Sequence, residues 1–424
     1  MKKVFLFLVL VVLISSLLIG CQPPATSTPT QTGTTPPKTT PTTTAAKPPI
    51  KIGLLYELTG PMAMTGKRML DANKLSFEQA GMEVAGRKIE IITGDSGSQP
   101  QMALDTARKM VENDKVSLVM GPIMGNLKIA VADYMTKAGV PHLNTSPAPV
   151  PVLLPQMVWS IAGAGGENQY STAAGKYAVE KMGFKTISLM TEDLEHAHGF
   201  AAGFQAAFES GGGKVIQQQF TPYPANDFAS YIANVKDANA LAAWYEGSDA
   251  IMFLNQVHDL GLRKRMPVYA AFFGSFFANF ILNELKPAAA EATLGEITCT
   301  PYAPSIDNPV NKAFVTLFKQ KNNGALPDDT DATPYDGGLI VLEALKKNNG
   351  DTNPAALKDA ILKVEIMGTE GPIKFDTQTR CRIRDVYVCK VDKQDGKYLW
   401  TPIFTYKDVP PFGFAPPPGP PPGK

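Results

Sequence analysis

Short apolar, β-rich segments alternate with longer helical patterns through most of this 424-residue chain. Residues 50–55 predict a strand, and 67–80 predict a helix whose apolar stripe includes Met69, Ala72 and Leu75. The same rhythm predicts strands at 88–93, 116–120, 186–190, 214–220 and 240–244, and helices at 100–112, 127–138, 171–182, 199–209, 228–237 and 248–260. Such alternation is typical of an α/β fold, in which helices cover parallel sheets and ligands bind at the carboxyl ends of the strands.

The first twenty residues predict export. Lys2 and Lys3 precede an apolar run, 4–14, that is short for a membrane span, as in a signal peptide over 1–20. The run ends in Leu18-Ile19-Gly20-Cys21, which resembles the lipobox of bacterial lipoproteins, so Cys21 is the expected lipidation site. The alternatives are an ordinary signal peptide with a stray cysteine, or an uncleaved anchor helix.

Both ends of the expected mature chain are of low complexity. Residues 21–49 consist mostly of Thr, Pro, Ser, Ala and Gln, which predicts a mobile tether, since such a segment buries too little apolar surface to offset its ordering entropy. Residues 407–424 form a Pro-rich tail, from Pro410 onward expected to be disordered.

The remaining residues have ordinary globular composition. Roughly 350 residues suffice for two lobes rather than one. The net charge is +1 without a basic cluster, so nothing indicates a nucleic-acid partner. No long apolar run follows the signal, which predicts a soluble body and an extracytoplasmic location.

Three cysteines lie in the body: Cys299, Cys381 and Cys389. Cys381 and Cys389 share one extended segment and are too far apart to bridge. A disulfide between Cys299 and one of them, or three free thiols, both remain open.

Enzyme motifs fail in their details. The segment Gly60–Lys67 resembles a phosphate loop, but it has one residue too many between its glycines, and Arg68 stands where Ser or Thr is needed. The segment 94–98 lacks the final glycine of a nucleophile elbow. No enzymatic activity and no cofactor are therefore predicted.

Two histidines, His196 and His198, lie near acidic residues at 192, 193 and 195. A His-x-His pair without further ligand spacing is a weak metal signal. The sequence thus predicts no metal site, and both histidines are interpreted as loop residues near a ligand cleft.

A series of motifs, in order, resembles the Leu/Ile/Val-binding-protein-like substrate-binding lipoproteins of ABC importers. The segment 52–61 matches their opening strand and turn. The others are Gly86-Arg87-Lys88-Ile89-Glu90 with Asp95, Val119-Met120-Gly121-Pro122, Ala138-Gly139-Val140-Pro141, Asn226-Asp227-Phe228, Tyr335-Asp336 and Gly371-Pro372-Ile373-Lys374-Phe375-Asp376. The resemblance extends over about residues 50–406.

This resemblance implies a type I periplasmic binding protein, with two parallel-sheet lobes joined by a three-segment hinge. Lobe 1 would comprise 50–162 and 299–367, and lobe 2 would comprise 163–298 and 368–406. The ligand would bind in the cleft between the lobes.

The resemblance also suggests ligand-binding residues. In lobe 1 the loops 62–66, 123–127 and 144–148 would bind a ligand carboxylate through backbone amides and hydroxyls. The candidates there are Thr65, Gly125, Asn126, Ser146 and Ala148.

In lobe 2, His198 stands where the family has a tyrosine before glycine, and Tyr245 and Glu246 follow a strand where an aromatic residue is usual. Phe273 occupies the place of the carboxylate that pairs with the ligand's ammonium group. An aromatic run such as this one is explained equally well by core packing.

The predicted function is capture of a small molecule, an amino acid or an organic acid, for the membrane permease of an ABC importer. A ligand-sensing receptor module of the same fold is the alternative, and a surface hydrolase is disfavoured by the missing motifs. Because a buried ammonium requires a carboxylate partner, the absent acid favours an organic acid, especially an aromatic one, with an amide second. Glu246 would reverse this preference if it reached the cleft.

Overall fold

The computed structural model of the chain describes residues 47–269 and 278–414. The predicted signal peptide, Cys21, most of the tether and Phe273 lie outside these residues. Within them, no helix is both long enough and apolar enough to cross a bilayer.

The described residues form fifteen strands and thirteen α-helices. The strands are β1 Ile50–Tyr56, β2 Glu83–Val84, β3 Arg87–Asp95, β4 Leu118–Met120, β5 His142–Asn144, β6 Ser160–Ala162, β7 Thr186–Glu192, β8 Lys214–Thr221, β9 Ala240–Trp244, β10 Val268–Tyr269, β11 Ile297–Thr300, β12 Ile366–Gly368, β13 Gly371–Asp376, β14 Cys381–Gln394 and β15 Lys397–Val409. The helices are α1 Ala63–Gln79, α2 Pro100–Arg108, α3 Gly125–Ala138, α4 Val150–Leu153, α5 Asn168–Glu180, α6 Glu195–Ser210, α7 Ala229–Ala233, α8 Gly247–Asp259, α9 Ala278–Glu284, α10 Pro287–Glu291, α11 Pro309–Lys321, α12 Asp329–Lys347 and α13 Pro354–Leu362. A π-helical turn, Lys109–Asp114, continues α2, and a 3-10 turn spans Leu262–Lys264.

The strands form two sheets. The larger has the order β12-β13-β14-β6-β5-β4-β1-β3-β2, and β11 and β15 also pair with β14. Its central strands, from β3 through β1, β4 and β5 to β6, run parallel. The smaller sheet, β10-β9-β7-β8, is parallel throughout. The predicted α/β class with parallel sheets is confirmed.

Buried apolar residues join each sheet to its helices. Ile52 and Leu54 of β1 pack with Ile340 and Val341 of α12 in the core of the larger sheet. The start of α1 approaches β1 so closely that a Cβ at Gly66 would overlap the carbonyl oxygen of Glu57. Glycine is therefore required at this contact.

Strand β14 of the larger sheet also packs against elements of the smaller sheet. Its first residue, Cys381, pairs with Ala162 of β6, and the next residues pair with β13. Farther along, β14 pairs with β11 and β15, with register shifts between Arg384 and Val386 and between Val388 and Cys389. Val386 and Val388 pack in the hydrophobic cluster that also contains residues of β7 and α5.

Most predicted elements agree with the observed ones, and the differences lie at their ends. Helix α6 begins at Glu195, four residues before the predicted start, which places His196 in its first turn. The predicted helix 228–237 is wrong in length, because α7 covers only Ala229–Ala233.

The chain also stays ordered farther than predicted. Strand β15 continues to Val409, beyond the predicted tail boundary at 407. Phe414 then donates its backbone N–H to the Thr172 hydroxyl at 2.9 Å and packs on Tyr406. Residues 410–414 are thus held by α5, while 415–424 lie outside the described part.

Cys299, Cys381 and Cys389 are buried free thiols, which decides between the two alternatives left open by the sequence. Burial raises the pKa of each of them above its ordinary value.

Candidate functional site

Two carboxylates and a histidine meet at the carboxyl ends of β7 and β9. Glu192 is the last residue of β7, Glu246 follows β9 and precedes α8, and His196 lies in the first turn of α6. One ligand atom from each lies within 4.8 Å of the others, and His196 Nε2 is 3.8 Å from Glu246 Oε1. We call Glu192, His196 and Glu246 the acid–histidine cluster. It stands where the sheet topology predicts a ligand site.

Polar atoms of this cluster lack hydrogen-bond partners. Within the described residues, Glu192 Oε2, His196 Nε2 and Glu246 Oε1 are buried and accept or donate no hydrogen bond, and the same is true of the nearby Tyr170 hydroxyl. Glu192 Oε1, by contrast, accepts the backbone N–H of Glu246 at 2.7 Å. Because buried polar atoms are almost always hydrogen-bonded, four unpartnered ones together indicate a site for a ligand.

The pKa values of all three cluster residues differ from their ordinary values. Burial, and secondly the charge of Glu246, raise the pKa of Glu192. Burial, and secondly the charge of Glu167, raise the pKa of Glu246. Burial also lowers the pKa of His196 to about 4. Such concentrated shifts are typical of functional sites.

A buried lysine faces the cluster from α3. The Lys128 Nζ donates to the Pro147 carbonyl, and its positive charge is the second cause of the lowered pKa of His196. Burial lowers the pKa of Lys128 itself to about 8, against the opposing effects of Glu167 and Glu57. Lys128 on α3 is thus close enough to affect the pKa of His196 on α6.

The predicted anion-binding loop at 123–127 already binds an internal carboxylate. Glu57 accepts the backbone N–H groups of Ile123 and Met124 at 3.0–3.1 Å. These two amides are thus not available to a ligand carboxylate, while the predicted use of Gly125 and Asn126 in the same loop stays a prediction.

The other lobe 1 candidates lie at or near the loops expected of them. Thr65 is buried in the first turn of α1, and Gly125 begins α3. Ser146 is buried and donates to the Ile123 carbonyl at 3.2 Å, and Ala148 donates its backbone N–H to Gly165. Asn126 is exposed, and its side chain accepts the backbone N–H of Leu127, so its polar group serves its own turn.

The lobe 2 candidates separate into two groups. Glu246 belongs to the acid–histidine cluster. His198 does not: its side chain is 47% exposed, pairs with Asp193 and stacks on Phe220. Tyr245 packs into the core against Phe228 and Phe253, because alternate residues of an extended segment face opposite sides. Phe273 lies outside the described residues.

Sequence reasoning did not single out Tyr170 and Lys128, and it set aside Glu192 and His196. One available signal was that Glu192 and Glu246 each follow a predicted strand, where ligand residues are expected. For Tyr170 and Lys128 no such signal exists, because buried polar residues on helices cannot be distinguished from exposed ones without the packing.

A wide cavity of about 750 Å³ lies elsewhere, between α1, α9 and α11. Its charged walls pair with one another, as in the contacts of Arg68 with Asp331 and of Lys321 with Glu78. None of the cluster residues lines it.

The chain resembles known proteins over nearly its whole body. Residues 49–397 match a family model described as periplasmic binding protein. A Leu/Ile/Val-binding protein homolog 6 from Brucella melitensis is 24% identical over 372 residues, 84% of this chain and 92% of the relative.

Two solved structures share the fold and more sequence. An ABC transporter substrate-binding protein from Sphaerobacter thermophilus has a TM-score of 0.79 and 30% identity, covering 85% of this chain and 98% of its own. A solute-binding protein of an ABC transporter from Rhodopseudomonas palustris, in complex with 3,4-dihydroxybenzoic acid, has a TM-score of 0.77 and 28% identity with the same coverage. These relatives are solute-binding proteins rather than enzymes.

Proposed function

Because this chain belongs to the periplasmic binding protein family, as a substrate-binding protein of the ABC transporter type, we propose that it captures a hydroxylated aromatic carboxylate outside the cytoplasm. It would deliver this solute to the membrane permease of an ABC importer.

The acid–histidine cluster is the observation that supports a hydroxylated solute. Glu192 Oε2 and Glu246 Oε1 are acceptors without donors among the described residues. A ring hydroxyl supplies such a donor, and one such hydrogen bond contributes about 0.5–1.5 kcal/mol. The carboxylate of the solute would lie toward Lys128 on the opposite side. The relative from R. palustris binds a compound of this kind.

The aromatic surroundings favour a flat solute. Trp244 lies 4.9 Å from the His196 ring, and Tyr170 packs at 5.1 Å from Phe200 beside it. Aromatic rings stack and pack edge to face with one another more favourably than with aliphatic chains of equal area.

Binding would close a hinge between two lobes. We propose lobe 1 as 50–162 with 299–367 and lobe 2 as 163–298 with 368–406. Residues on α3 and α6 would then meet only in the closed form, in which Lys128 faces His196. Closure around a solute is a recurrent domain motion of periplasmic binding proteins.

An amino acid is the second candidate, and Glu246 is the observation that favours it. The sequence prediction against amino acids assumed that no carboxylate reached the ligand, whereas Glu246 is buried beside Glu192. One negative charge shared by this pair would suit one ammonium group.

Titration calorimetry on the mature protein distinguishes these candidates. We expect 3,4-dihydroxybenzoate and 4-hydroxybenzoate to bind, and benzoate to bind at least about tenfold more weakly, because it lacks the hydroxyl donor. X-ray scattering should show a smaller radius of gyration in the presence of the hydroxylated acids. Tight binding of leucine or valine, lost in Glu246→Gln, would replace the aromatic acid with an amino acid.

The proposed membrane anchor is the lipid on Cys21, followed by the tether 22–49. Cys21→Ser should abolish incorporation of labelled palmitate and leave the precursor unprocessed. Cys299→Ser is the matched control and should be labelled normally. Palmitate labelling of the Cys21 variant would show that the lipid is attached elsewhere or not by this route.

A further inference from the structure

The geometry of the acid–histidine cluster is that of a metal site. Ligand atoms held by one ion at about 2.1 Å lie up to roughly 4.2 Å apart. His196 Nε2 and Glu246 Oε1 are 3.8 Å apart, and no pair of the three ligand atoms is separated by more than 4.8 Å. In a tetrahedral site the ligand atoms lie about 3.4 Å apart, so these separations would shorten by roughly 0.4 to 1.4 Å to bring all three onto one ion.

We infer that Glu192, His196 and Glu246 bind one divalent first-row transition-metal ion, through His196 Nε2 and one oxygen of each carboxylate. One imidazole nitrogen and two carboxylate oxygens suit Zn²⁺, Mn²⁺ or Co²⁺. This inference does not depend on the identity of the solute; in the metal-bound form the two glutamate oxygens would bind the ion, and a solute hydroxyl would reach the ion instead of those oxygens.

The unpartnered atoms support the site independently of the distances. Glu192 is fully buried, and its Oε2 has no hydrogen-bond partner among the described residues. His196 Nε2 and Glu246 Oε1 are likewise buried atoms without a hydrogen-bond partner there. These three atoms belong to the three residues whose ligand atoms converge. The other oxygen of Glu192 is held by the Glu246 backbone N–H, which orients the carboxylate as a supporting hydrogen bond does in a metal site.

The charges of the two carboxylates are a further reason to expect a cation at this site. Two carboxylates buried side by side repel each other, and a divalent cation between them would neutralise both. An ion with three protein ligands keeps an open coordination position. A solute oxygen in the cleft would complete it, so the metal would make an acidic site receptive to an anionic solute.

The test uses the full mature chain, free of affinity tags and treated with a chelator. Titration with ZnCl₂ should show one ion per chain, and Co²⁺ should give a visible absorption band that Zn²⁺ abolishes. His196→Ala, Glu192→Gln and Glu246→Gln should each weaken Zn²⁺ binding at least about tenfold, because even changes to the supporting residues of a metal site cost that much.

His198→Ala is the matched control, since it removes a histidine two positions away that is exposed and paired with Asp193. It should bind Zn²⁺ as the unchanged protein does, and circular dichroism should show that all four variants are folded. Absence of saturable binding in the unchanged protein, or equal loss in His198→Ala and His196→Ala, would overturn the inference. Because no solute is present, this outcome would leave the proposed function unaffected, and failure of solute binding with intact Zn²⁺ binding would do the reverse.

Discussion

Two groups of charged side chains in this protein differ in how their carboxylates are hydrogen-bonded. In the first, Arg382 contacts Asp336 at 3.2 Å and Glu370 at 2.7 Å, and Arg384 contacts Glu370 at 3.0 Å. All four carboxylate oxygens of this arginine network have partners, including Thr369 for Asp336 and Thr333 for Glu370.

The acid–histidine cluster differs in each of these respects. It contains two acids and no arginine, and three of its polar atoms have no hydrogen bond among the described residues. Removing one partner of a buried ion pair is strongly destabilising, because it leaves the other charge buried without compensation. The comparison therefore favours a role in folding for the arginine network and is consistent with the binding role proposed for the cluster.

Removing one acid from the arginine network should have the largest effect. We expect Glu370→Gln to lower the free energy of unfolding by about 3–5 kcal/mol, because Arg382 and Arg384 would share only the charge of Asp336. Urea unfolding followed by circular dichroism measures it. Glu291→Gln, which breaks an exposed pair with Lys393, is the control and should not change the midpoint. Equal midpoints for both variants would contradict the structural role.

The same substitution in the cluster should act in the opposite way. We expect Glu192→Gln and Glu246→Gln to keep or raise the melting temperature, because an unpaired buried carboxylate is replaced by an uncharged amide of the same shape. Solute affinity should fall by up to about tenfold, because the amide presents an N–H₂ group where the solute hydroxyl needs an acceptor. A marked fall in melting temperature without loss of affinity would place these residues with the arginine network.

The titration of Lys128 should make the affinity for the solute depend on pH. Its pKa, lowered by burial to about 8, means that it is charged below that pH and neutral above it. Affinity for an aromatic carboxylate should therefore be constant from pH 6 to 7 and fall about tenfold by pH 9. Calorimetry at these pH values measures the change. Lys128→Met should bind weakly at all of them, and persistence of the step in this variant would assign it to another group.

The smallest expected changes in stability and in solute affinity are those of two tyrosine variants. Tyr170→Phe removes an unpartnered hydroxyl, so stability should hold or rise slightly, while solute affinity falls a few-fold, by roughly the value of one neutral hydrogen bond. Tyr245→Phe removes a hydroxyl that accepts from Thr221 in the core, so stability should fall by about 0.5–1 kcal/mol with affinity unchanged. Thermal unfolding and calorimetry on both variants test this crossed pattern, and the reverse pattern would restore Tyr245 as a ligand-binding residue.

The α/β fold could be predicted because the periodicity of apolar residues depends only on neighbours along the sequence. Periodicity alone identified β9 at its observed bounds and placed most of the other elements that it predicted within a few residues, but it predicted neither of the short strands β5 and β6 and no helix after residue 260. Residues 410–414 were missed because they are held by tertiary contacts to Thr172 and Tyr406, which composition does not reveal.

The site could be predicted only in part, because its residues are defined by which way each side chain points. Glu246 and Tyr245 are adjacent, yet one faces the cluster and the other the core. His196 and His198 differ by two positions on a helix, about 200° around its axis, so only one turns inward. His198 was predicted from its place before Gly199 in the family resemblance, which carries no information on the direction of its side chain.

The continuous strand β14 has a consequence for how proteins of this design diversify. It carries Arg382 and Arg384 near its start and pairs with β6, β13, β11 and β15. It does not pair with β7 or β9, whose ends bear Glu192 and Glu246. On the proposed function, mutations that change the bound compound can therefore accumulate at the ends of the small sheet without weakening β14. Such a division of labour makes the scaffold evolvable, since new specificities need not pass through unstable intermediates.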